Sequence, residues 1–362
     1  MVKRRTFLKS AGATSIVGIS GLAGCLGDGS GGDDETTTED GGMETTEEGG
    51  METTEEGGME TTEENTSPAL TYGGDGAVDF GISPSVPQED LNVQYSPVEE
   101  HMRGYLHENH DVPEDLSVNS NIGSNYSAVI QSLGQGTTDV AETGPFAGAL
   151  GVKTDNAEII LQRHGYGTWE YKSIIAVPND SDIEEVADLE GKTIAFSDQL
   201  STSGALYPLY NISQAGIDIG NLPEGNGSQA DFEARFAGGH VASYTLLEQG
   251  QVDAAGMGGF VRDTGAGPAP EQFQDVATTL VESTGLPRAP IVVSPELSDE
   301  EQNAIQQAFL DAPDEIYWGA DGEEGTDDDL WFDDVREADQ STYQSVIDVA
   351  NELGVGTDIF ES

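Results

Sequence analysis

Basic residues are scarce in this 362-residue chain: 13 Lys+Arg stand against 68 Asp+Glu, a formal net charge of −55. A surface of that sign excludes gripping nucleic acid through the bulk field. Cysteine is scarcer still. The single thiol, Cys25, excludes an internal disulfide framework and any Cys-rich metal site, leaving an intermolecular or modified role. Apolar length is also short near the start, where the weakly apolar run over residues 11–22 cannot span a bilayer.

What the first 25 residues do contain is four cations, no acid and that apolar run, the layout of an export signal. Arg4-Arg5 followed by Thr6, Phe7, Leu8 and Lys9 looks like a twin-arginine signal. Leu22-Ala23-Gly24-Cys25 looks like a lipobox, whose cysteine becomes the lipidated first residue of the mature protein. The only cysteine is then an anchor, and an extracytoplasmic location follows.

Residues 26–66 carry fifteen acids and no cation, with GGMETTEE repeated three times at 41–48, 49–56 and 57–64. Low hydrophobicity, Gly, Thr and like-charge repulsion prevent a packed core, so the segment reads as an extended tether. Removing residues 1–66 leaves 53 acids and nine cations, a net charge of about −44 on the remainder. Self-repulsion on this scale is relieved when salt shortens the screening length, and with only five lysines the composition points to a host adapted to high salt.

The remaining chain is long enough for two medium α/β units. Apolar runs predict strands over 78–82, 116–122, 139–142, 173–177, 193–196, 252–256, 276–281 and 290–293. Apolar i, i+3, i+4 spacing predicts helices over 96–109, with Pro97 in the first turn, and over 126–133, 202–214, 240–249, 300–309 and 342–353. The alternation implies mostly parallel sheets, whose ligands sit at the carboxyl ends of strands.

Two segments carry chemistry. In TIAFSDQLSTSGALYPLY, residues 193–210, an apolar strand is followed by Ser201-Thr202-Ser203-Gly204 at the start of a helix. Hydroxyls and unpaired N–H groups at the positive end of a helix dipole form a seat for a tetrahedral oxyanion, whereas ordinary capping needs only one such residue. In GGHVASYTLLEQGQVDAAGMGG, residues 238–259, His240 follows two glycines and opens an amphipathic helix. It can serve as a neutral donor or as a cation paired with the ligand.

With these motifs in place, residues 188–259 resemble the phosphate/phosphite/phosphonate-binding proteins of ABC importers, and the resemblance runs from about residue 78 to residue 301. It implies an α/β fold of the periplasmic-binding-protein type, a type II Venus-flytrap of two lobes joined by crossover hinge strands. It also implies capture of a phosphonate, phosphite or phosphate for delivery to an ABC permease, with no cofactor and no catalysis. Matched position by position, the ligand-binding residues fall on Tyr126, Thr143, Ser201, Thr202, Ser203 and His240; Thr143 stands where an aromatic is usual. Where relatives that bind an aminoalkyl phosphonate place carboxylates, this chain has Phe260 and Ala289, with Arg288 adjacent, so an ammonium tail lacks its counter-ions. Thr168, Trp169 and Tyr171, just before the strand at 173, either line the cleft or pack as hinge aromatics. The expected organisation is a signal over 1–25, a linker over 26–68, one lobe from 69–172 with 283–362, and a second lobe over 173–282, in a monomer held on the outer face of the cell membrane through lipid on Cys25.

Two other readings compete. Ser203 and His240 could be nucleophile and base of a phosphoester hydrolase, but no G-x-S-x-G elbow occurs. The acidic stretch DGEEGTDDDLWFDD, residues 321–334, could mark a metal-binding surface protein, but it lacks the D-x-[DN]-x-[DN]-G spacing of a calcium loop. The charge balance carries its own test: the thermal midpoint of the purified protein should rise as KCl goes from about 0.1 to about 1 M, over which the screening length falls from about 10 to about 3 Å. A midpoint indifferent to salt would remove the self-repulsion argument.

Overall fold

The computed structural model describes residues 70–74, 76–84, 88–356 and 359. The twin-arginine segment, the lipobox with Cys25 and the acidic linker lie outside them. In chain order the elements are β1 (Ala77–Ile82), α1 (Gln88–Asn109), β2 (Ser117–Ile122), α2 (Tyr126–Gly134), β3 (Val140–Glu142), α3 (Pro145–Lys153), β4 (Glu158–His164) and β5 (Glu170–Pro178). There follow β6 (Thr193–Phe196), a π-helical turn (Thr202–Leu206) running into α4 (Tyr207–Gln214), β7 (Glu233–Phe236), α5 (His240–Glu248) and β8 (Ala254–Gly258). The chain closes with α6 (Phe260–Asp263), α7 (Pro270–Val276), β9 (Ala277–Pro287), β10 (Pro290–Val293), α8 (Asp299–Leu310), β11 (Asp334–Glu337) and α9 (Gln344–Glu352).

The strands form two sheets, one in the order β11-β4-β10-β3-β1-β2 and the other in the order β7-β6-β8-β5-β9. The two-lobed α/β architecture expected from the sequence is present. Both sheets are mixed, however, not mostly parallel: β2, β1 and β3 run parallel, while β10 is antiparallel to both β3 and β4. Likewise β7, β6 and β8 run parallel and β5 is antiparallel to β8 and β9. Strand periodicity reports burial on two faces, not the direction of a neighbour, so this difference is invisible locally.

The chain passes from the first sheet to the second between β4 and β5 and returns between β9 and β10. These two passages pair with each other. Glu170 opposes Pro287, Arg288 N donates to Trp169 O at 3.0 Å, and Arg163 N donates to Ala289 O at 3.1 Å. A two-stranded ribbon therefore carries both crossings.

Helix α1 begins at Gln88, well before the expected start, and contains Pro97 in its interior. Proline there cannot donate to the carbonyl four residues back. The Ser96 hydroxyl takes that role, donating to Val93 O at 3.1 Å, so the helix continues past the break. Helix α3, β4, β7 and β11 had no counterpart in the sequence reading, and β8 lies two residues beyond the expected 252–256.

Each sheet is covered on both faces by apolar side chains. Phe80, Tyr95, Ile291 and Phe309 pack on one face of the first sheet. The layer on its other face includes Ile130, Leu150 and Val346 from α2, α3 and α9, together with Leu200 and Leu206 from the loop and π-helical turn that follow β6 of the second sheet. Leu206 is thus a core residue for the seam between the sheets. Leu206→Ala should lower the unfolding free energy by about 2–5 kcal/mol, measured by denaturant titration in high salt.

Candidate functional site

Between the two sheets lies a cavity of about 50 Å³ lined by residues of both. By the measure in which one water needs ~10–15 Å³, it holds roughly three to five waters. It opens at the carboxyl ends of strands: Ser83 follows β1, Thr143 follows β3, the segment of Ser201 to Ser203 follows β6, and Phe260 follows β8. That is where an open α/β sheet leaves room for a ligand.

All six residues singled out in the sequence line this cavity: Tyr126, Thr143, Ser201, Thr202, Ser203 and His240, each of them buried. Phe260, Arg288, Ala289 and Tyr171 line it as well. Thr168 and Trp169 do not. Their carbonyl oxygens instead accept from Arg288 Nε at 2.8 Å and Arg288 N at 3.0 Å, and the Trp169 ring packs on His164 and under Arg336.

Four helical segments start at the cavity wall, with first residues Tyr126, Pro145, Thr202 and His240. Two have side-chain caps. Asn125 accepts from Ala128 N, and Ser201 accepts from Gly204 N at 3.0 Å. The N-caps of the other two are Gly144 and Gly239, which have no side chain to offer. Gly144 is required sterically, because a Cβ there would lie 2.9 Å from the Tyr126 ring. Converging positive helix ends make the cavity attractive to an anion.

The three hydroxyls of residues 201–203 divide their work. Ser201 is the cap. Thr202 Oγ1 accepts from Phe146 N at 2.8 Å and so links the second sheet's loop to the start of α3. Ser203 O accepts from the Ser173 hydroxyl at 2.7 Å, while its side chain, with that of Thr202, hydrogen-bonds Tyr171. Burial pushes the Tyr171 phenol up to about 12, so it remains a neutral O–H. A second link between the lobes is the Asp198 carboxyl, which accepts from the Tyr126 backbone N–H and is held above its ordinary range by burial.

His240 is placed by its acceptor side. Gly258 N donates to His240 Nδ1 at 3.0 Å, and the Ser197 hydroxyl lies 3.1 Å from the same nitrogen. A ring nitrogen that accepts an N–H cannot carry a proton, so the neutral ring bears its hydrogen on Nε2, 3.4 Å from Ser201 Oγ. Burial, with Phe260 packed edge-on at 4.9 Å, holds the imidazole down at about 4. With no anion beside it, His240 at neutral pH is therefore an uncharged Nε2–H donor, the first of the two roles left open by the sequence.

The sequence reading missed the buried pair of Glu142 and Arg163, both in the wall and both 1% exposed. Glu142 also accepts from Ser83 N at 3.0 Å, and the Arg163 guanidinium lies 4.0 Å from the Trp331 ring centroid. Burial raises the Glu142 carboxyl, and the adjacent guanidinium and the Ser83 amide oppose that rise. The available signal was a single charged residue at the end of an otherwise apolar strand. Among the described residues no group of three His, Cys, Asp or Glu is placed to hold a metal ion. The carboxylates of Asp328 and Asp329 in the acidic stretch accept from nearby backbone N–H groups and the Thr326 hydroxyl.

The model of the ABC transporter phosphonate periplasmic substrate-binding protein family matches residues 80–343. The phosphate-import protein PhnD of Mycolicibacterium smegmatis is 33% identical over 150 residues, 39% of this chain and 43% of that protein. This chain's match thus spans less than half of that relative's length. Among solved structures, the binding protein component of an ABC phosphonate transporter from Pseudomonas aeruginosa is 20% identical, with a TM-score of 0.62 over 77% of this chain and 86% of that one. PhnD1 from Prochlorococcus marinus in complex with methylphosphonate is 18% identical, with a TM-score of 0.62 over 78% of this chain and 99% of that one. At these identities the two structures bear on the fold.

The depressed His240 imidazole links stability to pH. In the unfolded chain it protonates near 6.5, and in the folded chain only near 4. Between those values the unfolded state binds more protons, so this contribution is full above pH 6.5 and is lost as pH falls toward 4. The stability difference between wild type and His240→Gln should shrink over that window by up to about 3 kcal/mol, read from urea titrations at successive pH values.

Proposed function

This chain belongs to the phosphonate periplasmic substrate-binding protein family of ABC transporters, and on that premise we propose that it captures a phosphorus oxyanion outside the cytoplasm and delivers it to an ABC importer's permease. The observation that carries this reading is the convergence of four helix starts, the residue 201–203 hydroxyls and the Nε2–H of His240 on one small buried cavity. A tetrahedral anion surrenders several waters at once and needs several donors in return. Its size excludes long alkyl chains. The complex of PhnD1 with methylphosphonate supports the ligand class.

Tyr126, Thr143, Ser201, Thr202, Ser203 and His240 are the proposed ligand-binding residues. Capture proceeds by closure of the lobe of residues 173–282 on that of 69–172 and 283–362, which excludes solvent and strengthens each polar contact. The strands of the second sheet begin at Glu170 and end at Pro287, a few residues outside the expected 173–282 on each side. Residues 1–25 are the twin-arginine signal, 26–68 the tether, and lipid on Cys25 the membrane anchor, supported by the sequence motifs.

Capture without chemistry follows from the histidine. A hydrolase needs His240 to accept a proton from serine and an acid to orient the ring. Here Nε2, which faces Ser201, carries the hydrogen, while Nδ1 is held by the Gly258 amide beside Ser197, and among the described residues no carboxylate is hydrogen-bonded to the ring.

Isothermal titration of the purified protein in about 1 M KCl against phosphite, methylphosphonate and phosphate tests the reading. At least one should bind without turnover. Ser203→Ala and His240→Ala should each weaken it by about 1–3 kcal/mol. No binding by any of the three, or hydrolysis of a chromogenic phosphoester, overturns it.

A further inference from the structure

Arg288 is a buried cation without an anion. It is 6% exposed, and its hydrogen-bond partners among the described residues are two carbonyl oxygens and a phenol: N donates to Trp169 O, O accepts from the Tyr343 hydroxyl at 3.0 Å, and Nε donates to Thr168 O at 2.8 Å. Three contacts fix both backbone and guanidinium plane. Among the described residues, Nη1 and Nη2 donate to no protein group, and no carboxylate lies within ion-pair distance of them. Asp333, the acid that acts on Arg288 from a distance, is bound to His164 Nδ1 at 2.6 Å. Glu142 is bound to Arg163. The Tyr166 ring stands 5.4 Å from the guanidinium carbon, and the side chain lines the cavity.

A second polar group lining the same cavity is unsatisfied. Thr143 is 1% exposed, lines the cavity, and its Oγ1 has no hydrogen-bond partner. Its backbone N donates to Pro290 O at 3.4 Å, which places it against the strand that Arg288 and Ala289 lead into. An unpaired guanidinium and an unpartnered hydroxyl, both buried, are costly unless something from outside fills the gap. The rest of the cavity differs in kind. Ser201, Ser203 and His240 on the second sheet's side offer neutral donors, and Arg163, unlike Arg288, has Glu142 as its partner.

We propose that Arg288, with the Thr143 hydroxyl, is the seat of a second acidic group on the ligand, so that short phosphonocarboxylates are preferred over alkyl- or aminoalkylphosphonates. This rests on the phosphorus-oxyanion reading of the same cavity. The phosphorus end is solvated by hydroxyls, helix starts and His240 Nε2–H. The carboxylate accepts two N–H bonds from the guanidinium fork and one O–H from Thr143. The volume admits a tetrahedral group with a substituent of a few atoms. An ammonium in this place would face the cation.

Titrations of the purified wild type, Arg288→Gln, Arg288→Lys and Thr143→Val with phosphonoacetate, methylphosphonate and aminoethylphosphonate in about 1 M KCl test this. Wild type should bind phosphonoacetate roughly 10- to 100-fold more tightly than methylphosphonate, and aminoethylphosphonate least tightly. Arg288→Gln should abolish that preference while leaving methylphosphonate affinity within about threefold, Arg288→Lys should keep part of it, and Thr143→Val should reduce it. The wild-type comparison alone decides the matter if a variant does not fold. Methylphosphonate binding equal to or tighter than phosphonoacetate binding, or an equal loss of both in Arg288→Gln, overturns this proposal and leaves the oxyanion reading standing. Failure of all three ligands, and of phosphite and phosphate, overturns both.

Discussion

Four helix starts facing one small volume are an electrostatic constraint on everything around them. Each contributes a partial positive charge of about half a unit and N–H groups without intrahelical partners. The wall answers in part from within: Ser201 and Asn125 cap two of the starts, Thr202 accepts from the third, and Asp198 takes the Tyr126 amide. What remains is a cavity of positive potential inside a domain of about −44 net charge. At long range such an exterior repels an anion, and added salt weakens that repulsion more than it weakens the helix starts, because screening acts on the exposed acids and hardly on the buried dipoles.

Much of this was legible in the sequence where the signal is local. The strands Thr193–Phe196 and Pro290–Val293 were read to the residue, because short apolar runs bounded by polar loops have one good solution. The Ser-rich start and the histidine after two glycines were legible for the same reason: capping chemistry is written in adjacent residues. Helix α3 was not. Its sequence PFAGALGVK is buried from Pro145 through Gly151 on every side, so no amphipathic period marks it. Pro97 misled in the opposite way, since a helix that replaces the lost donor with Ser96 looks in sequence like one that starts there. Glu142 and Arg163 meet across the sheet from 21 positions apart, and nothing local announces the meeting.

The site also shows how burial divides titratable groups into roles. His240 is kept neutral and thereby made a donor of fixed tautomer. Glu142 is kept near a guanidinium that opposes its neutralisation. Tyr171 is kept protonated beside two hydroxyls. Each state follows from the same removal of water, with the outcome set by what stands next to the group.

The paired crossings, with Glu170 opposite Pro287 and Arg288 bonded to Trp169, are the place where any rotation of one sheet against the other must be absorbed. Distance from a pivot sets travel: Ser203, bonded to Tyr171 and Ser173 just past the ribbon, lies close to it, whereas groups farther out on the second sheet sweep longer arcs. Under such a rotation, whatever rests against the ribbon keeps its bearings.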